Sequence, residues 1–308
     1  MKKVLSISIG ASDRDHQVET EILGERFLIA RRGTNGDIAA AAQMVKELDG
    51  QYDAFGLGGI DMWLGGFGDK RYGLRAAKQI VDNAVKTPMV DGTELKWELE
   101  RHAVHSLNEQ PGFALRGRKV LVTCALDRFG MAQGFIELGA DILFGDAMMA
   151  IDLPLPIHST KTLKRMADVF MPVVSRLPFS MIYPTGDKQR ETTAKYRKYF
   201  DAAEIIAGDY LYIQKHMPDD LTGKAILTNT VTSENVEQMR RRGLSLLVTS
   251  TPAMEGRSFG TNVLQACFVA LLERSPEQIA SAEYLDLMRR AGFSHRIERF
   301  DVAAAPGA

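Results

Sequence analysis

The chain has 308 residues, more than one hydrophobic core usually serves, so two domains are the first expectation. Its 38 basic and 39 acidic side chains leave a net charge of -1, which gives neither the basic footprint of a nucleic-acid binder nor a polybasic membrane anchor. The two cysteines, Cys124 and Cys267, are too far apart for a metal-ligand spacing, and such low cysteine use fits a reducing cytoplasm.

The opening MKKVLSISIGAS lacks the long apolar core of a signal peptide and is too short to span a bilayer. Val4 to Ile9 reads as the first strand. Val18 to Arg31 reads as a hairpin with Gly24 between two β-rich arms. Asp37 is placed to cap a helix running to about Leu48. Tyr52 to Leu57 is a short strand that enters a glycine-rich loop. Leu74 to Val85 reads as helical, and Pro88 to Val90 as another short strand. Thr93 then opens a helix. Pro111, Gly112 and Gly117 break the period between Ser106 and Arg118, which marks a domain boundary.

Beyond it the rhythm is regular. Val120–Thr123, Ile142–Phe144, Ser180–Tyr183, Glu204–Ala207, Ala225–Thr228 and Leu246–Thr249 read as strands, most followed by a helical stretch. Short continuous apolar runs of this kind suit strands buried on both faces. The fold class is α/β: an N-terminal mixed-sheet α/β domain over 1–112, then a doubly wound parallel, Rossmann-like domain over 113–308 that includes the C-terminal helices. The apolar helix VLQACFVALL suits either the core or the face of a homodimer.

Lys119 to Asp146 has the strand, turn, helix, strand order with which a dinucleotide-binding unit begins. The turn from Cys124 to Ala132 holds one glycine, Gly130, where a pyrophosphate cradle needs several. Arg128 would attract a pyrophosphate and Asp127 would repel it. Asp146 lies 22 residues after Cys124, near the spacing at which a carboxylate accepts a ribose 2′-hydroxyl, which favours NAD over NADP. The competing reading is an ordinary βαβ corner with a surface aspartate. Thr228 and Thr249 close two later strands on the side where doubly wound sheets bind ligands.

Four further segments carry candidate chemistry. Asp61 follows a strand end inside the glycine-rich run from Gly56 to Arg71. Asp91 ends a strand, and Lys96 sits one turn inside the helix that Thr93 opens. A Lys–Asp couple can move a proton to or from an alcohol oxygen, and a helix cap beside a solvated lysine is the plainer alternative. Glu255, Arg257, Ser258, Thr261 and Asn262 crowd a polar loop after the last strand. Thr185 to Arg190 could hold a phosphate or serve as a plain turn. His102 and His105 form the one close histidine pair and read as a polar helix face, so no metal is expected.

The run KAILTNTVTSENVEQMRRRGLSLLVTSTPAMEGRSFGTNVLQACFVALL resembles the late strands and Gln-Ala helix start, Gln265-Ala266, of the shikimate/quinate dehydrogenase group. The overall domain order is similar across nearly the whole chain. The resemblance implies a substrate domain, an NAD(P)-binding domain and an active site in the cleft between them. The family's serine pair for the substrate carboxylate has no clear counterpart, although Ser6, Ser8 and Ser12 lie nearby; Ser8 and Gln265 join Asp61, Thr93 and Arg257 in the expected substrate set. The family's Pro-Phe-Lys and Asn-Thr-Asp segments have no counterpart, so Lys96 and Asp91 rest on chemistry alone. The expected function is an NAD(P)-dependent oxidoreductase of a small hydroxy acid or polyol. The alternative is a non-redox metabolite-binding protein with a degenerate phosphate loop. Either way the partner is a small molecule, with no nucleic acid and no membrane.

Overall fold

A computed structural model describes residues 1–65, 70–177, 195–229, 231–251 and 260–300. The chain divides into two compact units. The first is Met1–Glu98, Phe170–Ile182 and Met254–Ser294; the second is Leu99–Val169, Tyr183–Ala253 and His295–Ala308.

The first unit is built on a five-stranded mixed sheet. At its centre β1 (Lys2–Ser8) runs parallel to β3 (Glu25–Gly33) on one side and to β4 (Ala54–Gly58) on the other. Val4, Leu5 and Ile7 of β1 are wholly buried, which is why the run is apolar without a clean alternation. β2 (His16–Ile22) pairs antiparallel with β3 at the edge. Leu23 and Gly24 turn the hairpin with φ of 54° and 83°, the primed turn that matches strand twist. β7 (Met89–Val90) closes the other edge against β4. α1 (Ile38–Leu48) starts as expected, with the Asp37 side chain accepting from the Ala40 N–H at 2.9 Å. A small ladder of β5 (Trp63–Leu64) and β6 (Tyr72–Gly73) precedes α2 (Arg75–Val81).

The second unit holds a six-stranded sheet in the order β13-β12-β11-β10-β8-β9. β8 (Lys119–Val122), β9 (Asp141–Phe144), β10 (Ile205–Gly208), β11 (Ala225–Thr228) and β12 (Leu246–Thr249) are parallel. β13 (Arg296–Arg299) adds an antiparallel edge that the sequence pattern does not announce, since its faces alternate only weakly. Leu121, Phe200, Ile206, Ile213, Ile226 and Leu247 form the core. Chain direction across the sheet reverses between β8 and β10, the switch point of an open α/β sheet. The expected strand at Ser180–Tyr183 lies outside the described residues.

Two boundaries differ from the expectation. The division falls between Glu98 and Leu99, inside α3 (Thr93–Asn108), and not near 112. α3 continues because its later turns have a partner of their own. Gly134 of α4 (Phe129–Glu137) admits Val104, where a Cβ would come within 2.8 Å. The apolar helix near the C-terminus, α10 (Thr261–Leu272), belongs to the first unit and packs against β1 and β4. Its residues Val263 to Ala270 are buried within one chain, so its apolar character serves the core. Among the described residues no helix is long and apolar enough to cross a membrane.

Candidate functional site

At the carboxyl edge of the first sheet, Asp91 and Gly92 follow β7, and α3 begins at once. Gly92 has φ of 87°, and a Cβ there would stand 2.3 Å from the Asn262 nitrogen. Only glycine lets the start of α10 come this close, and Asn262 then donates to Ser6 Oγ at 2.9 Å. Asp91 is buried, with one carboxylate oxygen accepting from the Met62 N–H at 2.5 Å and the other from the Thr93 N–H at 2.9 Å. Burial raises its proton affinity above the usual carboxylate range, against the pull of those two donors. Asp91 therefore ties the segment after β4 to the first turn of α3.

Lys96 is near enough to Asp91 for its charge to oppose the rise that burial causes there. Its Nζ lies 3.3 Å from Asp61 Oδ2, with side-chain exposures of 11% and 21%. The Asp91 carboxylate is also held by backbone donors, and Asp61 follows β4 on the same edge. One turn of α3 also brings Glu94 and Trp97 into the cluster. Glu94 accepts from Arg71 at 3.1 Å and from Gln265 Nε2 at 3.0 Å. The Arg71 guanidinium lies 4.0 Å from the centre of the Trp63 ring, and Trp63 meets Trp97 edge-on at 4.9 Å. Asp61, Thr93, Lys96 and Gln265 are thus brought to one region. Ser8 has a different occupation: its Oγ accepts from Gly10 N–H and from Arg31, both at 3.1 Å. Arg257 lies outside the described residues, as do Glu255, Ser258 and the Thr185–Arg190 turn. Sequence reasoning missed Trp63, Arg71, Glu94 and Trp97. The three-residue spacing of Glu94 and Trp97 on a helix was the available signal.

In the second unit the turn after β8 is engaged internally. Asp146 opens α5 (Asp146–Ile151) directly after β9 and Gly145. A Cβ on Gly145 would sit 2.9 Å from the Thr123 carbonyl oxygen, so glycine allows β9 to end against the turn. The Asp146 carboxylate accepts from the Ala125 N–H at 3.0 Å and the Leu126 N–H at 2.9 Å, and the Cys124 thiol donates at 3.8 Å. Asp146 is 3% exposed. Burial pushes its pKa up to about 6, with the N–H donors pulling the other way. Burial, then the Asp146 and Asp127 charges, lifts the Cys124 thiol well above its ordinary value.

Arg128, at the start of α4, is likewise committed. Its guanidinium reaches Glu100 at 3.0 Å, Asp127 at 3.0 Å and Asp209 at 2.6 Å, and the side chain is 12% exposed. Burial alone would lower its pKa, but the Asp127, Asp209 and Glu100 charges hold it well above its ordinary value. Asp209 also accepts from Asn229 at 2.7 Å and caps α8 (Tyr210–His216; α6, Thr160–Val174, and α7, Arg197–Ala202, precede it) through the Leu211 N–H. Gly130 is buried in the first turn of α4. Thr228 donates to the Gly208 carbonyl at 2.8 Å, and Thr249 to that of Thr251 at 3.2 Å. Glu100 and Asp209 went unnoticed in the sequence, although Asp209 stands where a strand gives way to a helix.

A pyrophosphate needs the two N–H groups that Asp146 holds, and a ribose needs the carboxylate that they hold. The residues present do not fit a dinucleotide at this turn. Among the described residues no cluster of His, Cys, Asp and Glu is placed to hold a metal ion.

Residues 94–300 match the family model of a domain of unknown function (DUF8754), and residues 3–91 match that of a second (DUF8753). No curated protein matches the chain. Solved structures that resemble it include one from Mycobacterium smegmatis, 13% identical over 99% of this chain and 92% of that one, with a TM-score of 0.41. A periplasmic ribose ABC transporter from Conexibacter woesei is 13% identical over 81% and 80%, TM-score 0.38. An NAD-dependent malic enzyme from Thermotoga maritima is 13% identical over 95% and 85%, TM-score 0.39. Likenesses this distant carry no argument about ligand or reaction.

Proposed function

We propose that this chain, which belongs to the DUF8754 family of domains of unknown function, binds a small polyhydroxylated metabolite without redox chemistry. The ligand site is the first-unit cluster of Asp61, Trp63, Arg71, Glu94 and Lys96. The observation that carries the reading is the pairing of half-buried charges around an indole: Lys96 with Asp61, and Arg71 with Glu94 above Trp63. Carboxylates accept from vicinal hydroxyls, the two cations take hydroxyl or carboxylate oxygens, and an indole face suits the C–H face of a ring. Such charges exchange one polar partner for another on binding, so the ligand adds little desolvation cost beyond that already met in the fold.

A cyclic polyol or hydroxy acid, the ligand class expected from the dehydrogenase-like layout, meets these requirements. Hydride transfer asks in addition for a nicotinamide, and the β8–α4 turn has its donors engaged. The test is a thermal-shift screen of cyclic polyols, sugars and hydroxy acids against the whole chain, followed by calorimetry on any hit. Ligand binding to the folded state raises Tm by mass action. Trp63→Ala and Lys96→Met are each expected to weaken a hit by about tenfold or more, roughly 1.4 kcal/mol. A hit whose affinity neither variant changes would remove this cluster from the reading. A saturable Tm rise with NAD alone would restore the oxidoreductase.

A further inference from the structure

Two adjacent backbone N–H groups at the start of a crossover helix, aimed at one anion, are the means by which a doubly wound sheet holds a phosphate. The second unit has that arrangement: the Ala125 and Leu126 N–H groups converge on a single carboxylate just before α4. The anion comes from the chain itself. β9 and Gly145 deliver Asp146 to the turn, and the side chain is buried there. The remaining positive group of the turn, Arg128, is balanced by Glu100, Asp127 and Asp209. Cys124 adds a third, weaker donor to Asp146. Nothing in this arrangement requires a ligand, and it satisfies the donors a ligand would use.

We propose that the β8–α4 turn is a self-occupied anion site: the Asp146 carboxylate stands where a phosphate would bind, and removing it opens the turn to a phosphate-class ligand. A carboxylate that merely caps α5 would behave otherwise. Its loss would leave two unpaired N–H groups with no affinity for phosphate. This inference concerns the second unit and stands apart from the metabolite site in the first, so either can fail alone.

The experiment compares full-length wild type, Asp146→Ala and Asp146→Asn in thermal melts at neutral pH. Inorganic phosphate is titrated against sodium chloride at matched ionic strength, with NAD as a separate arm. Asp146→Ala is expected to melt below wild type in chloride and to gain roughly 2–4 °C from phosphate, as mass action on a weak site predicts. Wild type and Asp146→Asn, whose turn stays filled, are expected to show no difference between phosphate and chloride and no response to NAD. If Asp146→Ala does not fold, Asp146→Ser keeps one short acceptor and takes its place in the titration. A variant that folds and gains nothing from phosphate overturns the proposal. So does a saturable Tm rise of the wild type with phosphate or NAD.

Discussion

Arg128 in the second unit is 12% exposed and shares three carboxylates, whereas Arg71 in the first is 51% exposed and meets one carboxylate and one indole. Both stand near the carboxyl ends of parallel strands, where α/β sheets bind ligands. Burial separates what they can do. A guanidinium enclosed with Glu100, itself 0% exposed, is tied to its partners because separating a buried ion pair costs several kcal/mol. A half-exposed guanidinium over an indole can exchange water or carboxylate for a ligand oxygen at small cost. Charge is structural at one edge and available at the other.

The contrast breaks first at Arg128. Arg128→Met should lower unfolding free energy by about 3–5 kcal/mol, since Glu100, Asp127 and Asp209 then lose the guanidinium they share. Urea denaturation measures it, and a loss below about 1 kcal/mol would mean that the cluster is hydrated.

Asp146 offers the next largest effect. Its folded pKa, about 6, lies above the unfolded value of 3.8, so the folded chain binds more protons between those limits. Stability contributed by this group is therefore highest near pH 4 and falls as pH rises to about 6. Above that the dependence is flat. The full span corresponds to roughly 3 kcal/mol. The difference between wild type and Asp146→Asn across this window isolates the effect from other carboxylates, and an opposite slope would contradict the burial argument.

Gly92→Ala comes third, at about 2 kcal/mol or more. It combines a left-handed backbone with a Cβ 2.3 Å from Asn262 N. Gly24→Ala, equally left-handed but with nothing within 4 Å, should lose only about 1 kcal/mol. Equal losses in urea melts would mean that close approach of α10 adds nothing.

The smallest stability change sharpens the comparison most. Arg71→Ala should alter unfolding free energy by less than about 1 kcal/mol, as exposed ion pairs do. It should nevertheless weaken any ligand of the first unit measurably in calorimetry. A destabilisation as large as that of Arg128→Met would show the two edges to be alike.

Much of the architecture was legible because it rests on local pattern. β11 and β12 occupy the expected residues, and β8, β9 and β10 begin within a residue of theirs. The Gly24 hairpin and the Asp37 cap follow from turn and capping chemistry, and Thr232 and Asn235 form a full capping box at α9 (Ser233–Arg241). What depends on distant packing was not legible. Nothing near Val263 tells that α10 seats on β1, and nothing near Lys96 tells that its ammonium also meets Asp61. Asp146 is the instructive case. Its spacing from Cys124 suggested a ribose acceptor, and the same spacing lets it reach back to the Ala125 and Leu126 N–H groups. Sequence distance sets who can meet; the geometry of Gly145 decides which meeting occurs.

The return of α10 to the first unit also bears on how the chain acquires its shape during synthesis. The sheet that holds Lys2 to Val90 emerges from the ribosome early, but the helix covering β1 and β4 follows only when residue 272 has been made. Until then Gly56 and Gly58, which lie against Asn262 in the finished chain, have no cover. The parallel strands of the second unit, β8 to β12, are all made while the first still waits, and only its edge strand β13 follows α10. An early nascent fragment should therefore be protease-sensitive and prone to associate through that bare sheet face, and it should become resistant once α10 is released.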